Sequence, residues 1–232
     1  MEIQSWKEIL DPYRLAVNEL LVKFNHIIEE HRHAGLYSPI EQVKGRVKSI
    51  SSITEKLKRK SYTVYELEEK MEDLAGIRIL CQYMEDIDKV LELIRNRSDM
   101  EIKSTKDYIS HAKDSGYRSY HVIIYYEVNT IHGAKRLQVE IQIRTLAMDF
   151  WATVEHSLAY KYQGNIPTEM KERLSNVAEA LLLLDMEMSN VRNVIMDVKA
   201  SNGGQNIQEI QIANSNIRMR YTNGKKQIRE TV

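Results

Sequence analysis

Leu137 to His156 reads LQVEIQIRTLAMDFWATVEH, and its first eight residues alternate without a break. Leu137, Val139, Ile141 and Ile143 are apolar, while Gln138, Glu140, Gln142 and Arg144 are polar. That is the period of a strand with one face buried. The polar set lines the other face, either as the solvated outside of an antiparallel sheet or as part of a site, with Glu140 as its one carboxylate. Thr145 offers a helix N-cap. Helical spacing then runs to about Tyr162, with Phe150, Val154 and Leu158 on one side and Trp151, Glu155 and Tyr162 near it, before Gly164.

Upstream, AGIRILCQY is a largely buried strand in which Ile77, Ile79 and Cys81 alternate with Arg78, Leu80 and Gln82. Arg78 needs a carboxylate or a bound ligand as partner, because a buried unpaired charge is strongly destabilising. Tyr65–Met71 reads as a short acidic helix, Ile87–Arg97 as a helix, and Met100–Tyr108 and Arg118–Val128 as strands, the last entered through Ser115-Gly116. Asp11 and Pro12 open a first helix with Tyr13, Val17, Leu20, Phe24 and Ile27 on one face, ending near Gly35. Thr168–Lys199 is one long helix with a heptad at Leu174, Val177, Leu181, Leu184, Met188, Val191, Ile195 and Val198, a seam that the first helix or a neighbouring subunit must cover. The expected fold is α+β (mixed α/β): a mixed β-sheet of about five strands flanked by helices, with long helices at both ends. Residues 1–200 form the domain and 201–232, rich in Ser, Asn, Gly and Gln, a flexible or weakly structured tail.

The 33 basic and 33 acidic residues cancel, so phosphate binding must come from local clustering. Cys81 is the single cysteine, which excludes an internal disulfide and fits a reducing cytosol. No apolar run approaches a membrane span and the N-terminus resembles no signal, so the chain is expected to be cytoplasmic. His26, His31 and His33 lack metal-ligand spacing, and no histidine is followed by Asp.

GRVKSISSITEKLKRK, Gly45 to Lys60, is the densest basic cluster. With a helix starting at Ser51 or Ser52, Ile53 and Leu57 face inward and Ser52, Lys56 and Arg59 share another face. That face is either a solvated amphipathic surface or a phosphate clamp to which Arg46 and Lys48 add cations beside a helix N-terminus. No GxxxxGK[ST] is present, so a nucleoside triphosphate would be held by side chains.

Taken in order, GRVK with Ser52, Lys56 and Arg59, then DLAGIRI with Asp73 and Arg78, then HAKDSGYRSYH from His111 to His121, then VEIQIRTLAMDFWATVEH resemble the synthetase domain of the RelA/SpoT family over roughly residues 5–195. The chain is most similar to small alarmone synthetases of the RelQ type. The resemblance implies a nucleotidyltransferase-like fold that moves the pyrophosphate of ATP to the 3'-hydroxyl of GDP or GTP, giving ppGpp or pppGpp and AMP. It implies Mg²⁺ on Asp73, with Glu140 activating the hydroxyl and touching the metal, and ATP held by Arg46, Lys48, Ser52, Lys56 and Arg59, with Arg46 and Arg78 flanking the adenine. The acceptor guanine would stack on Tyr117, its phosphates on Lys113 and His121, with Gln142 and Glu155 in or behind the acceptor pocket and Gly116 permitting close approach. Without the resemblance, Tyr117 and His121 read as ordinary sheet residues.

Two other classes share these features: a same-fold enzyme that pyrophosphorylates tRNA, and a catalytically idle protein that senses guanine nucleotides or single-stranded RNA. The neutral charge balance argues against the first and the intact Asp73, Arg78, Tyr117 and Glu140 against the second. The resemblance also implies a homotetramer whose relatives bind pppGpp in a central cleft through cations of the first helix and an aromatic before GRVK. Here Leu21, Asn25, Ile28 and Gln42 stand at the candidate positions, with Lys23 and Lys44 nearby. Assembly without a strong response to pppGpp is expected.

Overall fold

The computed structural model describes residues 5–162 and 167–201. The expected tail lies outside these residues except for Ser201, which ends the last helix. By contacts the chain divides into two units, the first ending at Met186 and the second starting at Glu187. The sheet and the four sequence motifs belong to the first, and the described part of the second is the remainder of the final helix.

Helix α1 spans Trp6–His33 and starts earlier than Asp11-Pro12 suggests. Ser5 and Glu8 form a reciprocal capping box, Glu8 N–H donating to Ser5 Oγ (3.3 Å) and Ser5 N–H to the Glu8 carboxylate (2.9 Å). Two orphan amides satisfied there outweigh the start signal of Pro12, which sits inside the helix. Strand β1 (Gln42–Val47) contains GRVK, where the sequence suggested only an extended approach. Helix α2 (Ile50–Lys60) is capped by Ser49. A 3₁₀ turn (Val64–Glu66), α3 (Leu67–Lys70), β2 (Ala75–Cys81), α4 (Glu85–Arg95), β3 (Glu101–Asp107), β4 (Tyr120–Thr130), β5 (Gly133–Thr145), α5 (Leu146–Lys161) and α6 (Thr168–Ser201) follow.

The five strands form one mixed sheet in the order β1-β2-β5-β4-β3, with β2 and β5 parallel and the other pairs antiparallel. One face carries Ile77, Ile79, Val122, Ile124, Val139, Ile141 and Ile143, all buried. It receives the apolar stripe of α1. Gly45 makes that approach possible, because a Cβ there would lie 2.7 Å from Val17 and 3.1 Å from Ile77. The glycine of GRVK is thus a packing residue, while the arginine and lysine after it serve the other face.

The heptad of α6 does not turn inward as a whole. Within the first unit, Leu174, Ala178 and Leu181 pack with Trp151, and Asp185 is buried, while the heptad residues Val177 and Leu184 remain exposed. On α5 the covered residues are Met148, Asp149, Trp151 and Ala152, and Phe150 and Val154 face outward. No helix among the described residues is long and apolar enough to cross a membrane.

Candidate active site

The face opposite α1 is polar in register. Arg46, Gly76 and Glu140 are neighbours across β1, β2 and β5, and Lys44, Arg78, Gln142 and His121 form the adjacent row through to β4. Because side chains alternate along each strand, the pairings that bury the isoleucines place this set together. Lys44, Arg46, Asp73, Gly76, Arg78, Glu140 and Gln142 line one cleft of about 250 Å³.

On one side of it, Asp73 leaves the loop before β2 and accepts from Lys48 Nζ at 2.8 Å and Lys56 Nζ at 2.7 Å. Burial pushes the Asp73 carboxyl up, but the two lysines outweigh it and hold the group below its ordinary range. The loop is fixed from both ends. Lys48 N–H donates to Leu74 O (2.9 Å), and Gln138 donates to the carbonyls of Glu68 and Glu69 at the end of α3. Lys103 then bridges Gln138 (2.7 Å) and Glu72 (2.9 Å). Ser52, on the same helix as Lys56, is tied to the cap by Ser49 (2.9 Å), and Arg46 and Arg59 are exposed.

Glu140 lies on the sheet floor. His121 Nδ1 is 3.0 Å from its Oε1, and Gln142 Nε2 donates to Oε2 at 2.8 Å. Burial raises its pKa, yet the hydrogen bond and electrostatic attraction of His121, with the Gln142 bond, bring it below the ordinary value, despite the nearby Asp73 charge. His121 Nε2 faces the Tyr117 hydroxyl at 2.8 Å. The Tyr117 ring lies edge-on to Trp151 and Tyr108, and the Lys113 ammonium sits 4.8 Å from its centroid and 4.5 Å from that of Tyr108. Lys113, Tyr117, His121, Gln142 and Glu140 are therefore one group. Glu155 is half-buried on α5 and makes no hydrogen bond or ion pair among the described residues.

Three features differ from the sequence reading or were absent from it. The close approach at Gly116 (φ +87°) is to α6, since a Cβ there would lie 2.6 Å from Ala178 Cβ, so this glycine seats its loop against a helix. Arg144, which the alternation places merely on the polar side, is only 3% exposed and donates to Tyr117, Gln142, Ser119 and Asp149. Asp149 also pairs with Arg78 at 3.0 Å, supplying the carboxylate partner that a mid-strand arginine requires.

No group of three or more metal-ligating side chains occurs among the described residues. Two carboxylates on one cleft, both held ionised, suit a hard divalent cation of the Mg²⁺ kind, which takes one or two carboxylates and completes its shell with water and substrate phosphates.

The model of the region found in RelA/SpoT proteins matches residues 45–165. The chain belongs to the RelA/SpoT family. This member is 48% identical over 201 residues to the GTP pyrophosphokinase YjbM of Bacillus subtilis, covering 87% of this chain and 95% of that one. It is 38% identical over 195 residues to the GTP pyrophosphokinase YwaC of the same organism, covering 83% and 93%. Small alarmone synthetase 1 of B. subtilis, solved bound to its product pppGpp, superposes with a TM-score of 0.80 at 50% identity over 82% of this chain and 97% of that one. The chain covers more than nine-tenths of the length of each of these three relatives.

Proposed function

We propose that this RelA/SpoT member is a (p)ppGpp synthetase that transfers the pyrophosphate of ATP to the 3'-hydroxyl of GDP or GTP. The observation that carries the reading is one cleft in which a lysine-clamped Asp73 and a hydrogen-bonded Glu140 are both kept ionised, in a chain so similar to two GTP pyrophosphokinases.

Asp73 and Glu140 would hold Mg²⁺, which supplies charge neutralisation of the triphosphate. Lys48 and Lys56 already converge on Asp73, so incoming phosphates meet two preplaced cations, one just before α2 and one within it, with Ser52, Arg46 and Arg59 beside them. Arg46 and Arg78 lie in adjacent rows of the floor, on neighbouring strands, and their guanidinium planes suit the adenine. On the acceptor side the Tyr117 face takes guanine, with Lys113 leaving the tyrosine rings for the phosphates and His121, Gln142 and Glu155 completing the pocket. The 3'-oxygen attacks the β-phosphorus, the bond from that phosphorus to the α–β bridging oxygen breaks, AMP leaves, and the hydroxyl proton passes to Glu140. A carboxylate held below its ordinary range is a weak base, so Glu140 acts as much by charge and orientation as by basicity.

The outward apolar residues of α5 and α6, including Phe150, Val177 and Leu184, support assembly as a homotetramer. The function is tested by incubating the protein with ATP, Mg²⁺ and GDP, GTP, GMP or tRNA and separating the products. AMP with ppGpp or pppGpp is expected. Labelled tRNA without alarmone would replace this reading with the RNA-modifying one, and no product at all would favour a binding protein.

A further inference from the structure

We propose that Arg144 is a positioning residue that holds in place the two side chains that donate to Glu140, an inference that rests on Glu140 as the acceptor-side carboxylate. A guanidinium only donates. Its Nη2 lies 2.5 Å from the Tyr117 hydroxyl and 2.9 Å from Gln142 Oε1, so both oxygens accept from it. The Tyr117 proton is then directed to His121 Nε2, 2.8 Å away. His121 consequently carries its ring proton on Nδ1 and donates it to Glu140 Oε1. Along the other arm, a Gln142 whose carbonyl is occupied presents its amide nitrogen to Glu140 Oε2. Two arms leave one nitrogen of Arg144 and close on the two oxygens of one carboxylate.

The anchor of this ring is buried. Arg144 Nη1 meets Asp149 at 3.1 Å and Nε meets Ser119 Oγ at 3.3 Å, and Asp149 is shared with Arg78. The donor-side Arg78 and the acceptor-side Tyr117 therefore hang on the same ion pair. The ring is also one-way. A proton that arrives on Glu140 cannot run out through His121 and Tyr117, because the last step would require Arg144 to accept, so the ring holds the carboxylate and the proton leaves through the open cleft. Supporting groups of this kind fix a reacting side chain by locking its rotamer and its partner's tautomer.

Two substitutions test it. Arg144→Lys keeps the charge but cannot span Tyr117, Gln142, Ser119 and Asp149. Tyr117→Phe removes one oxygen and keeps the stacking face, so it remains informative where the buried lysine variant does not fold. Both are expected to lower kcat by roughly ten- to a hundredfold with the ATP KM within about twofold, and for Tyr117→Phe the acceptor KM within about threefold. An activity-independent readout is ¹⁵N NMR of histidine-labelled protein, with the His121 signals assigned by His121→Gln. Wild type is expected to show Nδ1–H with Nε2 as a hydrogen-bonded acceptor, and Tyr117→Phe to keep Nδ1–H against Glu140 while the Nε2 resonance moves to that of an unbonded ring nitrogen. A wild-type His121 protonated on Nε2, or a Tyr117→Phe protein with unchanged kcat and an unchanged Nε2 resonance, overturns the proposal. A protein inactive with every acceptor that still shows Nδ1–H would uphold the ring and fail the functional reading instead.

Discussion

Gly76 pairs directly with Glu140 across the parallel β2–β5 ladder, with Arg46 at its other side on β1. A Cβ at Gly76 would meet only the Arg46 carbonyl, at 3.9 Å, so the glycine is an opening in the floor and not a packing necessity. Gly76→Val should therefore fold at least as well, since a β-branched residue suits a strand, while its side chain fills the space between the donor cations and Glu140. The expected result is an unchanged or higher melting temperature with ATP binding weakened by about tenfold or more, measured by calorimetry with a non-hydrolysable analogue. Normal ATP affinity would mean the donor lies elsewhere.

Glu140→Gln tests the carboxylate. Both oxygens of Glu140 receive hydrogen bonds, so an amide nitrogen in that place must face one of two donors, His121 or Gln142. Loss of charge and basicity combines with a broken arm of the ring, and turnover should fall by about a hundredfold or more with ATP binding retained. Near-normal synthesis by a folded variant would remove Glu140 from the chemistry.

Tyr117→Ala removes the ring on which the acceptor base is expected to stack, worth about 1–3 kcal/mol per base. GDP or GTP affinity should fall by roughly five- to 150-fold, with ATP much less affected. The Trp151 ring, 6.5 Å from Tyr117, gives a fluorescence signal for titrating each nucleotide separately. Equal weakening of both would identify Tyr117 as a structural aromatic.

The sheet was legible because alternation at 137–144 and 77–81 fixes which side chains share a face, and register follows from burying the apolar one. The requirement that Arg78 find a partner was legible too, and Asp149 meets it. What the pattern does not contain is depth. Period two assigns Arg144 to the polar face but cannot say that Tyr117, Ser119 and α5 enclose that end of β5. Two strand arginines call for a shared acid, and Asp149, isolated among the apolar residues of LAMDFW, was the available signal. Glycines carried the opposite ambiguity: Gly45 and Gly116 serve helix packing while Gly76 leaves the cleft floor open, a distinction that depends on which element approaches.

Asp185 on α6 accepts from Thr145 Oγ1 (2.5 Å), the residue that also caps α5 through Met148 N–H (3.1 Å). Burial raises its pKa from 3.8 to about 6, against the Thr145 hydrogen bond. The unfolded carboxyl ionises first, so the stabilising contribution is fully present below about pH 3.8 and is lost as pH rises through about 6. Asp185→Asn keeps an acceptor for Thr145 and carries no charge. It should raise stability by on the order of 2 kcal/mol at pH 7 to 8 and change it little near pH 4. Denaturation at both pH values checks this, and an equal effect at the two would show that charge burial is not the cause.

The response to pppGpp follows from how the first helix spends its cations. Lys23 Nζ is engaged by Asp99 at 2.7 Å and by the Tyr126 hydroxyl at 2.6 Å, with Tyr126 held in turn by Glu19 at 2.8 Å. Lys44 lines the same cleft as Asp73 and Glu140. Leu21 packs on the core, and Asn25 donates to its own helix at Leu21 O (2.8 Å). A polyphosphate with four or five phosphates needs several converging cations to offset its desolvation, and freeing Lys23 would break its bonds to Asp99 and Tyr126 and leave the Asp99 carboxylate, held well below its usual range by Arg97 and Lys23, to Arg97 alone. The expected behaviour is a homotetramer whose initial rate changes by less than about twofold on adding pppGpp, since one uncommitted lysine offers little differential binding energy to shift any equilibrium. Light scattering at assay concentration with rates measured in parallel decides both parts. A monomer would undo the assembly, and severalfold activation would require that Lys23 leave Asp99 for the effector, which Lys23→Met would then abolish.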